Sequence, residues 1–237
     1  MLSEVRRSRQ GPYLDLSGLF PDGVFAYLTL AGFAGVDPGT LASFLWERGQ
    51  GECAVPRVEQ VHSSRVVEAA QSPCEADALL AYAPGQAVRV VTADCVPILL
   101  STADGSRVAA VHAGWKGTLA RIAQKAVLAL GEAEAPGLLA YVGPAVGPCC
   151  YTVDAARHRL FSEAFPGWVP EAGESPSLDL QRLNALQLEE AGVSAGAVRV
   201  ESRCTSCGLG LCCSYRRDGD AAGRMAALIG RTPWRGS

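Results

Sequence analysis

The chain has 237 residues, 49% of them hydrophobic, and a formal net charge of -3. It is long enough to bury one sizeable core, and it contains no run of about 18 apolar residues that could span a membrane. The weak negative balance, with no long basic run, argues against nucleic acid as a partner. Cytoplasm is the expected compartment, because the basic MLSEVRRSRQ leads into GPYLDL and not into a cleavable apolar signal.

In chain order, the spacing predicts a helix over 40–48, then strands over 58–61, 65–67 and 87–92. The run AVRVVTAD reads as a buried strand that breaks at Cys95 and resumes as VPILL, with a strand over 98–100. Pro97 removes a backbone donor, so the break is not an ordinary continuation of a central ladder. RVAAVHA reads as a strand over 108–113, GWKGT as a turn, and 118–130 as a helix with Thr118 able to cap its start and Gly131 its end. A strand over 138–142 follows, then helices over 154–165 and 179–191, a strand over 197–202 and a helix over 221–229. Residues 166–176, rich in Pro, Gly and Glu, read as a surface loop, and His158 as a solvated residue on its helix. Strands that follow one another directly, mixed with strand–helix alternation, predict an α+β architecture with mixed β-sheets, in one domain over 1–237.

The candidate chemistry lies in three short segments, QVHSSRVV, TADCVPILL and AAVHAGWKGT. They carry His62, Cys95 and His112, in a chain with only three histidines. Two imidazoles and a thiolate can hold zinc through three protein ligands and leave a fourth position open, which is the pattern of a catalytic site. Any one of them alone reads as a packed core residue. The three together, with Gly114, Gly117, Lys116 and Asp94 beside them, make an unusual composition for a plain core. Asp94 and Asp77 are candidates for proton transfer, and Asp94 is equally suited to capping the turn that positions Cys95. Lys116, Arg216 and Arg217 are the motif cations for binding an anionic substrate, each weighed against an ordinary surface or ion-pair role.

These segments, followed in order by GPAVGPCCYTV, DLQRLNALQLEEAGV and SYRRDGDAAGRMAALI and with EADALL between the first two, resemble a bacterial family. It is the laccase-domain or polyphenol oxidoreductase family, renamed purine nucleoside phosphorylases and including peptidoglycan-editing-factor-like, YfiH-type members. The resemblance runs over about residues 50–230. It implies sheets sandwiched by helices, a fold likened to that of cytotoxic necrotizing factor, with His62, Cys95 and His112 as zinc ligands required for activity. It further implies phosphorolysis of purine nucleosides and of methylthioadenosine, deamination of adenosine, and, as an older proposal, copper-dependent phenol oxidation. Two departures stand out. Leu28 lies where an Arg of an N-terminal F-x-T-R-x-G-G segment is expected, which puts the substrate in doubt, and Ser63 replaces the Gly of QVHG.

Rival readings come from other classes. Cys95 could be the nucleophile of a metal-free hydrolase acting on cell-wall precursors, with His112 or His62 as its base. A multicopper oxidase needs about ten His and Cys ligands, more than three histidines can supply. A non-enzymatic binding module finds no basic stripe, heptad or stacking motif in the sequence. The nine cysteines include a C-x2-C at Cys204 and Cys207, with Cys212 and Cys213 close behind. Structural thiols, a disulfide or a second closed zinc are all open for these, and the family resemblance assigns no metal to them. Cys149 and Cys150 read as packing residues. The sequence leaves the oligomeric state open.

Overall fold

The computed structural model describes residues 4–171, 173, 175–208 and 210–233; residues 1–3 of the basic N-terminal stretch and residues 172 and 174 of the expected 166–176 loop lie outside the described residues. The elements are β1 (Val5–Ser8), β2 (Gly11–Asp15), β3 (Val24–Thr29), α1 (Pro38–Glu47), β4 (Val58–Glu59), β5 (Val66–Glu68), β6 (Cys74–Glu75) and β7 (Ala78–Ala81). They continue with β8 (Ala87–Thr92), β9 (Val96–Ser101), β10 (Val108–Ala113), α2 (Trp115–Leu119), α3 (Ile122–Leu130), β11 (Leu139–Val142), α4 (Ala155–Ala164), α5 (Leu180–Glu190), β12 (Val198–Val200), α6 (Tyr215–Asp218) and β13 (Met225–Arg231).

Two sheets stack face to face, one ordered β1-β2-β3-β13-β8 and the other β12-β11-β9-β10-β7-β5. Between them lies an apolar layer in which Leu14, Leu28, Val90 and Ile229 of the first sheet meet Leu79, Leu99 and Val108 of the second. The outer face of the first sheet packs Tyr13, Phe25, Tyr27 and Leu228 against Leu41, Phe44 and Leu45 of α1. The outer face of the second is covered by α3, α4 and α5 through Ile122, Val127, Phe161, Leu183 and Leu188. The result is a helix–sheet–sheet–helix sandwich in which both sheets are covered on both faces, and this explains why strands such as β9, β10 and β13 read as near-continuous apolar runs.

Both sheets are mixed or antiparallel: β9–β10 and β9–β11 are antiparallel, whereas β5–β7 and β11–β12 are parallel. This is the α+β arrangement expected. Asp37, Asp154 and Asp179 each cap a helix by accepting a backbone N–H three residues on, a contact worth about 1 kcal/mol apiece.

Several expectations are corrected. The 221–229 segment is not a helix: β13 runs over Met225–Arg231 as a central strand between β3 and β8. Met, Ala and Leu are good helix formers, but a segment hydrogen-bonded on both edges and buried on both faces follows tertiary context over propensity. The 118–130 helix is two helices, parted at Arg121, whose φ of 58° is left-handed. The Arg121 guanidinium pairs with Glu190 and lies 5.0 Å from the Phe165 ring centroid. Thr118 is buried inside α2 and accepts a 2.9 Å hydrogen bond from Asn184 Nδ2, while Gly114 takes the N-cap place. Pro97 sits within β9, opposite His112, although the chain does break before it: residues 93–95 carry it from the first sheet to the second. His158 is only 5% exposed, turned inward on α4. The sequence patterns missed β1, β2, β3, β6, β7 and the short helix α6.

Candidate functional site

Three structural breaks meet at one end of the sandwich: the loop after β4, the β8–β9 crossing and the junction of β10 with α2. They bring His62, Cys95 and His112 together, with their ligand atoms all within 4.8 Å of one another. Cys95 Sγ lies 4.0 Å from His62 Nε2, and the two imidazole rings meet edge to face at 4.9 Å. The crowding requires a glycine beside them. A Cβ on Gly114 would sit 3.0 Å from His62 Cδ2 and 3.2 Å from Cys95 Sγ.

Asp77, fully buried just before β7, organises the site. Its Oδ1 lies 2.8 Å from His112 Nδ1 and accepts the His62 backbone N–H at 3.0 Å. Its Oδ2 accepts the Ser63 N–H at 2.6 Å and the Ser63 hydroxyl at 2.7 Å. Binding His112 through Nδ1 turns Nε2 toward the cluster, the carboxylate–histidine arrangement that orients metal ligands. The same bonds hold His62 at a φ of 58°, a left-handed conformation unusual for a non-glycine residue. Ser63, in place of glycine, adds a hydrogen bond to this carboxylate and leaves His62 in position. The Gln60 side chain pairs with Val91 in both directions, at 2.8 and 2.7 Å, and so pins the segment before His62 to β8.

Electrostatics follow from this geometry. Burial opposes the charge on Asp77, yet hydrogen bonds from His112 and Ser63 hold its carboxyl at about 2. Burial likewise opposes a Cys95 thiolate, but the neighbouring His112 and His62 bring the thiol down to about 7. His112 is driven up to about 9 by Asp77 and Cys95 against its own burial. An electron-rich thiol between two imidazoles suits a soft or borderline divalent metal.

The cluster opens into a cavity of about 830 Å³. Trp115, Tyr151 and Tyr215 give it aromatic walls, and Glu59, Arg89, Arg216 and Arg224 give it charge. Arg89 is 7% exposed, burial pulls its pKa below the ordinary arginine value, and its Nε has no hydrogen-bond partner among the described residues. Neither carboxylate expected to move protons is free to do so. Asp77 is committed as above, and Asp94, with φ 95°, accepts the Thr205 hydroxyl at 2.5 Å and the Arg216 backbone N–H at 2.6 Å.

The three expected substrate cations separate. Arg216 lines the cavity, with its guanidinium on Thr152 Oγ1 at 2.6 Å. Arg217 pairs with Asp218 and bonds the carbonyls of Thr205 and Cys212, at 2.9 and 3.0 Å. Lys116 is exposed above the Trp115 ring and is not part of the cavity wall. Leu28, where a family Arg was expected, is buried between the sheets. The cavity cations absent from the sequence reading are Arg89 and Arg224. Only Arg89 had left a visible signal, a charge in the middle of an apolar strand.

Residues 45–232 match the family model described as multi-copper polyphenol oxidoreductase laccase. The chain belongs to that family. Among curated members, it is 41% identical over 180 residues to a purine nucleoside phosphorylase of Deinococcus radiodurans, covering 73% of this chain and 69% of that one. It is 34% identical to the purine nucleoside phosphorylase slr1573 of Synechocystis, covering 87% of this chain and 89% of that one. The matched part spans 60% of the length of a further relative, the purine nucleoside phosphorylase YlmD of Geobacillus stearothermophilus. The crystal structure of that YlmD superposes with a TM-score of 0.81 at 30% identity, over 97% of this chain and 99% of that one. A Neisseria meningitidis family protein superposes with a TM-score of 0.80 at 28% identity, over 92% and 98%. Both structures superpose over nearly the whole sandwich. The cluster itself offers two imidazoles and one thiol, and His158 lies outside it on α4, too few ligands for the several copper centres the family description mentions.

Proposed function

We propose that this chain, as one domain over 1–237, is a metal-dependent purine nucleoside phosphorylase of the cytoplasm, with zinc held by His62, Cys95 and His112. Copper is the other metal this soft set accepts. Adenosine deamination and methylthioadenosine phosphorolysis belong to the same proposal. One observation carries it: an open three-ligand cluster faces a cavity that combines aromatic walls with a buried arginine whose Nε has no hydrogen-bond partner among the described residues. Zinc with an open position supplies Lewis acidity and a bound water whose pKa falls toward ~7.

The protein's own groups account for the rest. Trp115, Tyr151 and Tyr215 present flat faces to a purine. Arg89, desolvated and without a partner at its Nε, binds and orients phosphate, with Arg216 and Arg224 adding positive potential. In phosphorolysis a phosphate oxygen bonds to the anomeric carbon as the glycosidic C–N bond breaks, and the leaving purine takes a proton at its ring nitrogen. Glu59, on the cavity wall with no hydrogen bond to its carboxylate among the described residues, is the group placed to carry that proton.

The test is phosphate-dependent base release from adenosine, inosine and methylthioadenosine, with inosine formation from adenosine followed in parallel. Wild type should release base, Cys95→Ala should not, and Arg89→Met should raise the KM for phosphate about tenfold or more. No base and no inosine at any zinc loading sinks the proposal. A second reading, a cysteine hydrolase, is favoured by the lowered Cys95 thiol beside His112. Alkylation separates the two, because a metal-bound Cys95 is protected by zinc and a free nucleophile is modified at the same rate with or without it.

A further inference from the structure

A second cluster of thiols stands apart from the cavity ligands. Cys149 and Cys150 lie in the turn that follows β11, and Cys204 and Cys207 lie in the turn that follows β12. Their four Sγ atoms are all within 4.8 Å of one another, and Cys149 and Cys207 are 3.6 Å apart. The cysteines at 212 and 213, which the sequence placed with the C-x2-C, are instead buried between the sheets. We propose that Cys149, Cys150, Cys204 and Cys207 form a closed four-thiolate zinc site that clamps two loops behind the catalytic cavity.

The distances suit that chemistry. A tetrahedral zinc with bonds of about 2.3 Å spaces its sulfurs about 3.8 Å apart, so only small side-chain shifts are needed. Four protein thiolates leave no position for water or substrate, which makes the site structural and distinct in kind from the three-ligand cluster. The backbone is already arranged to support a thiolate. The Gly147 N–H donates to Cys204 Sγ at 3.3 Å. The neighbouring thiols hold the Cys149 thiol up, whereas N–H groups of Cys207, Gly147 and Ser206 favour the charged form of Cys204 against its burial. Such donors favour a charged ligand sulfur and add little to a disulfide, which would also leave two of the four thiols idle. Gly208 follows the second pair where a Cβ would lie 2.4 Å from the Cys204 carbonyl oxygen, so the turn that joins Cys204 to Cys207 closes only with glycine there.

The clamp would act on the cavity wall. Val146 and Tyr151, on either side of the first pair, both line the cavity. Thr205, inside the second pair, bonds Asp94 through its hydroxyl and Ala145 through its N–H at 2.9 Å. Asp94 precedes Cys95. A metal joining the two turns would therefore fix the wall and the loop that presents the catalytic thiol.

Metal counting on Cys95→Ala protein tests this without reference to catalysis. Purified under reductant, that variant should carry one zinc per chain, and adding Cys149→Ser and Cys207→Ser should reduce the count to none. Cobalt loaded into Cys95→Ala should show intense thiolate-to-metal charge transfer with tetrahedral d–d bands, which carries the test if the triple variant does not fold. Zinc should also slow alkylation of Cys149 and Cys207 in the Cys95→Ala protein at least tenfold. A zinc count unchanged by the two serine substitutions overturns the proposal. So does Cys95→Ala protein without bound zinc or cobalt charge transfer, including one whose mass is two hydrogens short because two of these thiols have joined as a disulfide.

Discussion

Replacing Asp77 by Asn tests the carboxylate on which the His62, Cys95 and His112 cluster is built. Against its burial, His112 and Ser63 hold the Asp77 carboxyl at about 2 where an ordinary one stands at 3.8, a gap that corresponds to roughly 2–3 kcal/mol of stabilisation. An amide keeps the shape but cannot accept on both sides. If its oxygen faces His112 and the His62 N–H, its NH2 opposes the Ser63 N–H now bonded at 2.6 Å. That buried donor is left unpaired, at a cost of about 1–3 kcal/mol. These two costs overlap, so the expected loss is about 2–4 kcal/mol, or about 1–2 M in the urea midpoint. Because the folded pKa lies below the unfolded one, the stabilisation is complete above about pH 4 and lost as pH falls toward 2. The difference between wild type and variant should therefore narrow below pH 4. Zinc affinity, measured by chelator competition at pH 7, should fall about 10–100-fold as the His112 tautomer and the His62 loop lose their support. Superimposable urea curves together with equal zinc affinities would refute the role given to this carboxylate.

Four other substitutions probe separate parts of the structure. Gly114→Ala puts a methyl 3.0 Å from His62 Cδ2 and 3.2 Å from Cys95 Sγ; zinc affinity should drop about 10–100-fold while the melting temperature of the metal-free protein stays near wild type. Arg217→Met should cost about 1–3 kcal/mol in urea denaturation, because the guanidinium satisfies the carbonyls of Thr205 and Cys212, whereas Lys116→Met, exposed over Trp115, should stay within about 0.5 kcal/mol. Gly230→Ala drives a Cβ to 2.4 Å from Phe25 Cζ and 2.7 Å from the Gln86 carbonyl oxygen; the overpacking should destabilise the fold by about 1–3 kcal/mol, with zinc stoichiometry unchanged in the folded fraction.

Local pattern was enough for the elements whose own residues carry the signal. The strands at Ala87–Thr92 and Val108–Ala113 were read to the residue, and the helices beginning after Asp154 and Asp179 were legible from their caps, because β-branched runs and N-cap carboxylates act within a few residues. The segment at Met225–Arg231 was not, since its helix-forming composition yields to a place between β3 and β8 that no local pattern encodes. His62, Cys95 and His112 could be named as candidates in advance because the three together, in an unusual local composition, make a Cys/His set, although each alone reads as a packed core residue. The sequence by itself thus determined the candidate residues His62, Cys95 and His112, the starts of the helices capped by Asp154 and Asp179, and the mixed character of the sheets. Tertiary structure alone decided that Asp77 would be an orienting carboxylate, that Arg89 would face the cavity while Arg217 turned to loop carbonyls, and that Cys149 and Cys150 would meet Cys204 and Cys207. Each of those outcomes depends on which distant segments the two stacked sheets bring to the same end, and that contact is made only when the sheets bury their shared face.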